Sequence, residues 1–302
     1  MTRPGPEASD PLAGRTAFIS GASRGIGLEI GRTLARAGAN VALIAKTDEP
    51  NPKLPGTIHD AAEELTGLGA EVLAIVGDIR DETRVASAVA QTVERFGGID
   101  LCINNASALN LANVAELPIK RYDLLQSVNV RGTYVVTQAC LPHLRRSQHA
   151  HVLTLSPPLN LDSSWFRSAA YTVSKYGMTI VTLGVAKTER DHGVGANCLW
   201  PLTAIATAAV RNLMGGEESI THTRTPQIVA DAAAAILRRD PTRYTGNAVL
   251  VEDVLAEEGI TDLAPYSTEP GQTSFFPDFF VDPARLDRPA EEVLQAAREL
   301  GR

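Results

Sequence analysis

A glycine-rich turn near the N-terminus constrains the fold of this chain more than any other feature. The apolar run 17–19 is typical of a buried parallel strand, and Gly21, Gly25 and Gly27 follow it directly before a helical pattern. Gly21 permits a positive φ if the turn requires one, Gly25 leaves space for a pyrophosphate, and Gly27 lets the helix pack closely on the strand. The helix N-terminus would attract phosphate oxygens. The turn therefore predicts a dinucleotide-binding unit rather than an ordinary tight loop.

Single apolar strands alternate with helical patterns along most of the chain. This alternation predicts an α/β fold, a single Rossmann-type doubly wound sheet of about seven parallel strands with helices on both faces. The predicted strands are 17–19, 40–45, 72–76, 99–103, 152–155, 194–200 and 248–251.

The charge and hydropathy of the chain exclude several classes of partner. The 28 Lys and Arg residues are interspersed with 35 Asp and Glu residues, which gives a net charge of −7 and no basic patch for nucleic acid. No window approaches the roughly 20 apolar residues that a membrane span needs. We therefore expect no nucleic-acid partner and no membrane span.

The cysteines and histidines indicate neither disulfides nor a metal site. The three cysteines are far apart in apolar segments, which predicts buried thiols in a reducing compartment and a cytoplasmic location: Cys102, Cys140 and Cys198. Three histidines lie close together without a carboxylate or cysteine beside them, so we expect no metal: His143, His149 and His151.

Cations follow the first and second predicted strands. In a Rossmann unit the end of the second strand meets the adenosine ribose, where a carboxylate selects NAD and a cation accepts a 2′-phosphate. This chain has Lys46 there, and Arg24 lies in the glycine turn. The pair favours NADP(H) over NAD(H), although two solvated surface cations would give the same pattern.

Polar side chains end the third and fourth predicted strands. Asp78 could accept a hydrogen bond from the adenine amino group or cap the next helix, and the sequence leaves both open. Asn104 and Asn105 could bond the backbone or a ligand, and a structural role is the simpler interpretation.

Tyr171 and Lys175 are the residues most suggestive of catalysis. They are four apart in a helical pattern, so their side chains project from one face about 5–6 Å apart. A nearby ammonium would lower the phenol pKa from roughly 10, which suits a general acid–base. The spacing alone is common by chance, but downstream of the glycine turn it indicates an enzyme.

Together these motifs resemble the short-chain dehydrogenase/reductase family over about residues 13–252. The resemblance implies interconversion of a carbonyl and an alcohol by hydride transfer, with Tyr171 exchanging the proton. Lys175 would bind the nicotinamide ribose and lower the tyrosine pKa, and Asn129 would help to order a water linking Lys175 to solvent. The matching elements are the glycine turn, Asp78, Asn104 to Ser107, Asn129 and the Tyr171-x-x-x-Lys175 pair.

The resemblance also implies the cofactor contacts and partners. The substrate would be a small carbonyl or alcohol, and the assembly a homodimer or homotetramer. The cofactor would meet the glycine turn, the following strand ends, the Tyr/Lys pair and the segment after the sixth strand: Gly21, Ser23, Arg24, Gly25, Ile26, Gly27, Lys46, Asp78, Ile79, Asn105, Ala106, Ser107, Tyr171, Lys175, Pro201, Ile205 and Thr207.

Two positions depart from the family pattern. A substrate-orienting serine usually lies 13 residues before the tyrosine, whereas Ser156 lies 15 before it. A bulge could bring Ser156 into place, Ser163 or Ser164 could substitute, or the group could be missing; we favour Ser156. The usual Pro-Gly after the sixth strand is Pro-Leu at 201–202. These departures leave a second hypothesis, a non-catalytic NADP-binding sensor or scaffold on the same fold.

The sequence divides into three parts. Residues 1–12 are predicted to be a flexible leader, 13–252 the Rossmann-type catalytic domain, and 253–302 a C-terminal extension packed on the same domain or on a neighbouring subunit. Four phenylalanines within 275–280 would be buried over the substrate mouth or against another subunit. Residues 289–300 read as one amphipathic helix.

Further phrases are similar to one narrower group within the family. They include Ser-Pro-Pro-Leu-Asn-Leu at 156–161, Tyr-Gly-Met at 176–178 and Pro-Asp-Phe-Phe at 277–280. Some members of that group carry a C-terminal sterol-carrier domain, for which we expect this chain to be too short.

Overall fold

A computed structural model describes residues 10–51, 56–213 and 217–286. The predicted helix at 289–300 and most of the predicted leader lie outside the described residues. Within them, no helix is both long and apolar enough to cross a membrane.

Seven parallel strands form one sheet in the order β3-β2-β1-β4-β5-β6-β7. The predicted doubly wound sheet is confirmed, and each strand lies within two residues of its predicted bounds. The strands are β1 Thr16–Ser20, β2 Asn40–Ala45, β3 Val72–Val76, β4 Leu101–Asn104, β5 His151–Thr154, β6 Gly195–Trp200 and β7 Ala248–Leu250.

Helices cover both faces of this sheet. A π-helical stretch, Gln126–Arg131, joins the fourth and fifth of them. The helices are α1 Gly25–Arg36, α2 Ile58–Gly67, α3 Glu82–Phe96, α4 Ile119–Leu125, α5 Gly132–Leu144, α6 Ala169–Thr188, α7 Ala208–Leu213, α8 Glu217–Ile220, α9 Gln227–Arg238 and α10 Val251–Glu257.

The central strand shows how the two faces are filled. Successive side chains of a strand point to opposite faces, and here Ala17 and Ile19 pack with α1 and α9 while Phe18 packs with α3 and α5. All three are fully buried. A continuous apolar run is therefore what this strand requires.

The sheet order reverses between β1 and β4. Each connection from one parallel strand to the next returns along a face of the sheet, so the two neighbouring strands send their chains to opposite faces at this point. A crevice opens there at the carboxyl ends of the strands, where open α/β sheets bind ligands.

Candidate active site

The glycine turn is held by the end of β4. Gly21 has φ +70°, and a Cβ on it would lie 2.7 Å from Cα of Ala106. A Cβ on Gly27 would lie 2.4 Å from Nδ2 of Asn105. That amide donates to the carbonyl oxygens of Ser20 at 3.0 Å and Gly21 at 2.9 Å. Asn105 therefore has the structural role predicted for the asparagine pair, and neither glycine accepts a side chain.

Asn104 also has a structural role, because it links β4 to its neighbouring elements. Its side-chain amide is buried and donates to the hydroxyl of Thr137 at 2.9 Å and that of Thr154 at 3.3 Å. The end of β4 is thus tied to α5 and β5.

A cavity of about 460 Å³, here called the turn cavity, opens beside the glycine turn. The loops after β1 to β4 surround it, as expected at the reversal of the sheet. It brings together most of the predicted cofactor contacts: Gly21, Ser23, Arg24, Gly25, Ile26, Lys46, Asp78, Ile79, Asn105, Ala106, Ser107 and Thr207. Gly27 lies behind it, in the close contact of α1 with Asn105.

Two predicted cations line the turn cavity. Nζ of Lys46, whose side chain is 60% exposed, lies 3.8 Å from Oδ2 of Asp78. The guanidinium of Arg24 donates to the carbonyl oxygen of Gly56 at 2.7 Å. No acidic side chain follows β2 directly, because Ala45 and Lys46 occupy that position. Two cations and the carboxylate of Asp78 therefore lie together on this side of the turn cavity.

Asp78 forms ion pairs and does not cap the next helix. Its carboxylate accepts from the guanidinium of Arg80 at 2.6 Å. Partial burial raises the pKa of Asp78, but Arg80 and Lys46 outweigh this and lower it overall. The cap of α3 is Asp81, which accepts from the N–H of Arg84 at 3.0 Å. The capping alternative for Asp78 is thus wrong.

A second cavity of about 570 Å³, here called the tyrosine cavity, adjoins the first and shares Ile26, Asn105, Ser107, Thr207 and Ala209 with it. Its wall is largely apolar. The side chains include Leu109, Leu111, Leu155, Trp200, Val210 and Phe279, with Asn110, Tyr171, Lys175, Ile205 and Asp278.

Tyr171 and Lys175 lie on α6 and are 5% and 2% exposed. Nζ of Lys175 donates to the carbonyl oxygen of Leu155 at 3.0 Å and lies 4.8 Å from the ring centre of Trp200. Burial lowers the pKa of Lys175 to about 8, and the charge of Asp278 opposes this. The ammonium is therefore held at the floor of the tyrosine cavity by a carbonyl and an aromatic ring.

The prediction that Lys175 lowers the pKa of Tyr171 is wrong for this structure, in which that pKa is raised. Burial raises the pKa of Tyr171, and the negative charge of Asp278 raises it further. The phenol ring stacks on Phe280 at 5.8 Å and meets Phe279 edge to face at 6.1 Å. The sequence pattern supplied the lysine but not the aromatic cover, which comes from the C-terminal extension.

Asn129 lies in the π-helical stretch and is fully buried. Its side-chain amide donates to the hydroxyl of Ser174 at 2.9 Å and to the carbonyl oxygen of Ala108 at 3.0 Å, while its Oδ1 accepts from the N–H of Ala108 at 2.7 Å. π-Helical turns often occur at functional sites. Asn129 fixes the loop after β4 to the start of α6, and its predicted part in ordering water stays a prediction.

None of the three candidate serines lines the tyrosine cavity. Ser156 is fully buried, and its Oγ lies 2.9 Å from the hydroxyl of Thr179, one turn beyond Lys175 on α6. Ser163 and Ser164 are exposed, and the Ser164 hydroxyl donates to Asp162. The structure therefore does not bring Ser156 to the tyrosine.

The segment after β6 is built around a half-buried glutamate, Glu252. Pro201 is buried and lines neither cavity. The N–H of Leu202 donates to Oε2 of Glu252 at 2.8 Å, and its carbonyl oxygen accepts from the N–H of Asp278 at 3.0 Å. Ile205 and Thr207 follow and line the tyrosine cavity.

The phenylalanine-rich tail covers the tyrosine cavity. Pro277 pairs with Thr203 in an antiparallel bridge, which places Asp278 and Phe279 in the cavity wall. Phe280 is buried with its ring 5.2 Å from that of Tyr176. Sequence analysis missed Asp278, although a lone carboxylate inside a run of phenylalanines was a visible signal.

Two of the histidines, one just before β5 and one at its first residue, link this strand to the end of α9. Nε2 of His149 lies 2.6 Å from the carbonyl oxygen of Leu237, and Nε2 of His151 lies 3.0 Å from the carbonyl oxygen of Arg239. Burial lowers the pKa of His151 to about 4, so that ring is neutral. Across residues 10–51, 56–213 and 217–286, no three ligating side chains cluster for a metal.

A parallel sheet whose order reverses beside a glycine turn, with a crevice at that point, defines a dinucleotide-binding domain of the Rossmann type. The family model described as short chain dehydrogenase matches residues 15–217. The chain therefore belongs to the short-chain dehydrogenase family, a family of oxidoreductases that bind nicotinamide cofactors and act on small molecules.

Individual relatives carry the likeness further. The chain is 49% identical over 272 residues to "Hydroxysteroid dehydrogenase-like protein 2" of Danio rerio. The aligned region covers 90% of this chain and 65% of the relative. The protein of that name from Xenopus tropicalis is 48% identical, with 96% and 68% covered. The chain thus spans about two thirds of their length. The likeness to one narrower group of the family is confirmed.

A solved structure shows the same architecture. The short chain dehydrogenase of Mycobacterium thermoresistibile superposes with a TM-score of 0.86 at 53% identity. The match covers 92% of this chain and all of that one.

Proposed function

We propose that this chain is an NADP(H)-dependent oxidoreductase that interconverts a carbonyl and an alcohol, with Tyr171 and Lys175 as the proton relay. One observation carries the proposal: Tyr171 and Lys175 line a cavity that shares a wall with the cavity of the glycine turn. A nicotinamide cofactor would span the two and supply the hydride. The residues of both cavities bind and orient the reactants side by side.

Tyr171 handles the proton in this proposal. Because burial favours the neutral phenol, Tyr171 holds its proton at neutral pH and can donate it to the oxygen of a carbonyl as that oxygen gains negative charge. In the reverse direction the phenol oxygen accepts the proton of an alcohol. The Lys175 ammonium, held by the Leu155 carbonyl, lies on the same helix face to bind the ribose and favour the phenolate when it forms.

The preference for NADP(H) rests on charge. Lys46 and Arg24 line the turn cavity, and the residue after β2 is not an acid. A 2′-phosphate would place its negative charge against these cations, whereas NAD(H) offers only a hydroxyl there.

The location and assembly are proposals as well. Three buried, free cysteines support a reducing, cytoplasmic location. Exposed apolar side chains on α5 and α6 support a homodimer or homotetramer: Tyr134, Val173 and Ile180. We also assign 13–252 as the catalytic domain and the described residues 253–286 as an extension that packs on it.

The proposal is tested by Tyr171→Phe. We expect turnover to fall by at least about 10²–10⁴-fold, because the hydroxyl that moves the proton is lost, while NADPH binds nearly as before. Turnover is followed by NADPH absorbance with a panel of aldehydes, diketones, quinones and steroid ketones. Tyr122→Phe, which alters a phenol outside both cavities, is the matched control.

Two outcomes would contradict the proposal. Undiminished turnover in Tyr171→Phe would remove the tyrosine from the reaction. A native protein that binds NADPH and reduces no member of the panel would instead support the non-catalytic sensor, the alternative that the displaced Ser156 favours.

A further inference from the structure

The tyrosine cavity has a carboxyl group in its wall, whereas the family pattern leads one to expect a serine hydroxyl. Ser156 faces Thr179, outside the cavity. Asp278 is the one acidic side chain among the residues that line the cavity in the described part of the chain, and it shares the wall with Tyr171 and Lys175. A polar group on this wall, among apolar neighbours, is positioned to contact a bound substrate.

Backbone and aromatic contacts fix Asp278 in that wall. Its N–H donates to the Leu202 carbonyl oxygen at 3.0 Å, and one residue earlier Pro277 pairs with Thr203. One residue later the Phe279 carbonyl oxygen accepts from the indole N–H of Trp200 at 2.8 Å. The carboxyl is therefore carried on a paired segment rather than a loose loop, as a site residue needs.

The side chain keeps hydrogen-bonding capacity for a ligand. Oδ1 accepts from the N–H of Phe279 at 2.6 Å. No other hydrogen bond or ion pair of the carboxyl is found in the described residues, and the side chain is only partly buried because it borders the cavity.

The surroundings raise the pKa of the Asp278 carboxyl toward neutrality. Lys175 and Tyr171 face it from α6, and half-buried Glu252 faces it from α10, with Arg224 beyond Glu252. The pKa of Asp278 is raised to about 7, mainly by burial and also by the charge of Glu252. The Phe279 N–H and the Lys175 ammonium act in the opposite direction but do not outweigh the burial. A carboxyl near neutrality can hold a proton and donate a hydrogen bond, as acids in apolar sites of other enzymes do.

We propose that Asp278, in its protonated form, donates a hydrogen bond to the oxygen of the reacting carbonyl beside Tyr171. The inference rests on the proposed function and names the group that replaces the missing serine. Tyr171 gives its proton to the oxygen as the hydride arrives at carbon. Asp278 keeps its own proton and stabilises the negative charge that develops on the oxygen.

The test compares Asp278→Asn and Asp278→Ala in the full chain. The asparagine amide still donates and does not titrate, whereas alanine removes the donor. With the best carbonyl of the panel and NADPH, we expect alanine to lower kcat/KM by about 10²–10³-fold, and asparagine by less than about tenfold. NADPH affinity should change less than about twofold in both.

The pH profile separates a contact from a structural role. Native kcat/KM for reduction should fall as pH rises through about 7, because Asp278 loses its proton. In Asp278→Asn the fall through about 7 should be absent, so that only the loss of the Lys175 proton, whose pKa is about 8, lowers kcat/KM at higher pH. Asp282→Asn, an exposed carboxylate of the same segment, is the control.

Each failure has its own signature. A fall near pH 7 that persists in Asp278→Asn would belong to another group, such as Lys175, and would overturn the inference. So would an alanine variant with native kcat/KM. In both cases an active native protein and an inactive Tyr171→Phe would leave the proposed function intact, whereas a native protein without turnover would overturn both.

Discussion

At the scale of single residues, the proposed preference for NADP(H) rests mainly on the side chain of Lys46. It is largely exposed, and among the residues that the structure describes only the carboxylate of Asp78 lies within ion-pair distance of its ammonium, at 3.8 Å. A phosphate can therefore replace that weak partner without breaking a buried contact. An acid at position 46 would reverse the charge and stand beside Asp78.

We predict that Lys46→Asp weakens NADPH binding by about 10–100-fold, since one charge-assisted contact is lost and a repulsion is added. NADH binding should change by less than about threefold. Fluorescence titration with each cofactor measures this, and Lys187→Asp, an exposed cation on α6, is the control. Equal losses for NADPH and NADH would show that Lys46 does not read the 2′-phosphate.

At the scale of elements, the C-terminal tail is held by one strained aromatic residue. Phe280 has φ +70°, which no other non-glycine residue of the described chain shares. Such a backbone costs about 1–3 kcal/mol. The ring packs on Tyr171, Tyr176 and Trp200. Because the strain persists only if this packing outweighs it, the ring anchors the tail to the tyrosine cavity.

We predict that Phe280→Ala lowers the free energy of unfolding by about 3–5 kcal/mol, as measured by urea denaturation. Phe166→Ala should change it by no more than about 0.5 kcal/mol, because that ring is 48% exposed. A loss below about 1 kcal/mol for Phe280→Ala would mean that other contacts hold the tail.

The elements differ in how far the sequence could predict them. β2 and β3 match their predicted bounds because each is a short apolar run between loops. The helix α10 was missed, although Val251, Val254 and Leu255 have helical spacing. The helix α10 begins directly after β7, and no turn residue separates the two elements. The sequence therefore contained no signal that the strand had ended and a helix had begun.

Site residues set by local pattern were easier to predict than those set by packing. The glycine turn and the Tyr171/Lys175 pair depend on spacing within one element and came out together in the crevice. The position of Ser156 depends on how the loop after β5 meets Thr179. Asp278 reaches the site only because a distant tail pairs with Thr203, and no local pattern contains that pairing.

At the scale of the whole molecule, α5 and α6 leave an apolar surface uncovered. Val173 and Ile180, seven residues apart on one face of α6, are 55% and 60% exposed, and Tyr134 on α5 is 54% exposed. A second copy of the chain would cover these side chains.

We predict that native protein sediments as a dimer or tetramer and that the double variant Val173→Glu, Ile180→Glu has a lower mass, because two charges would be buried without partners. Sedimentation velocity measures this. Leu161→Glu, at a side chain 76% exposed in the loop after β5 rather than on either helix, should leave the mass unchanged. A native monomer, or a double variant of native mass, would contradict the assignment of this face.

The two cavities are completed at different times during synthesis. Every residue around the turn cavity precedes residue 210, whereas the tyrosine cavity needs Asp278 and Phe279. A ribosome adding about 5–20 residues per second makes the intervening stretch in roughly 3–15 s. All the residues that line the turn cavity are therefore synthesised several seconds before Asp278 and Phe279, which complete the wall of the tyrosine cavity.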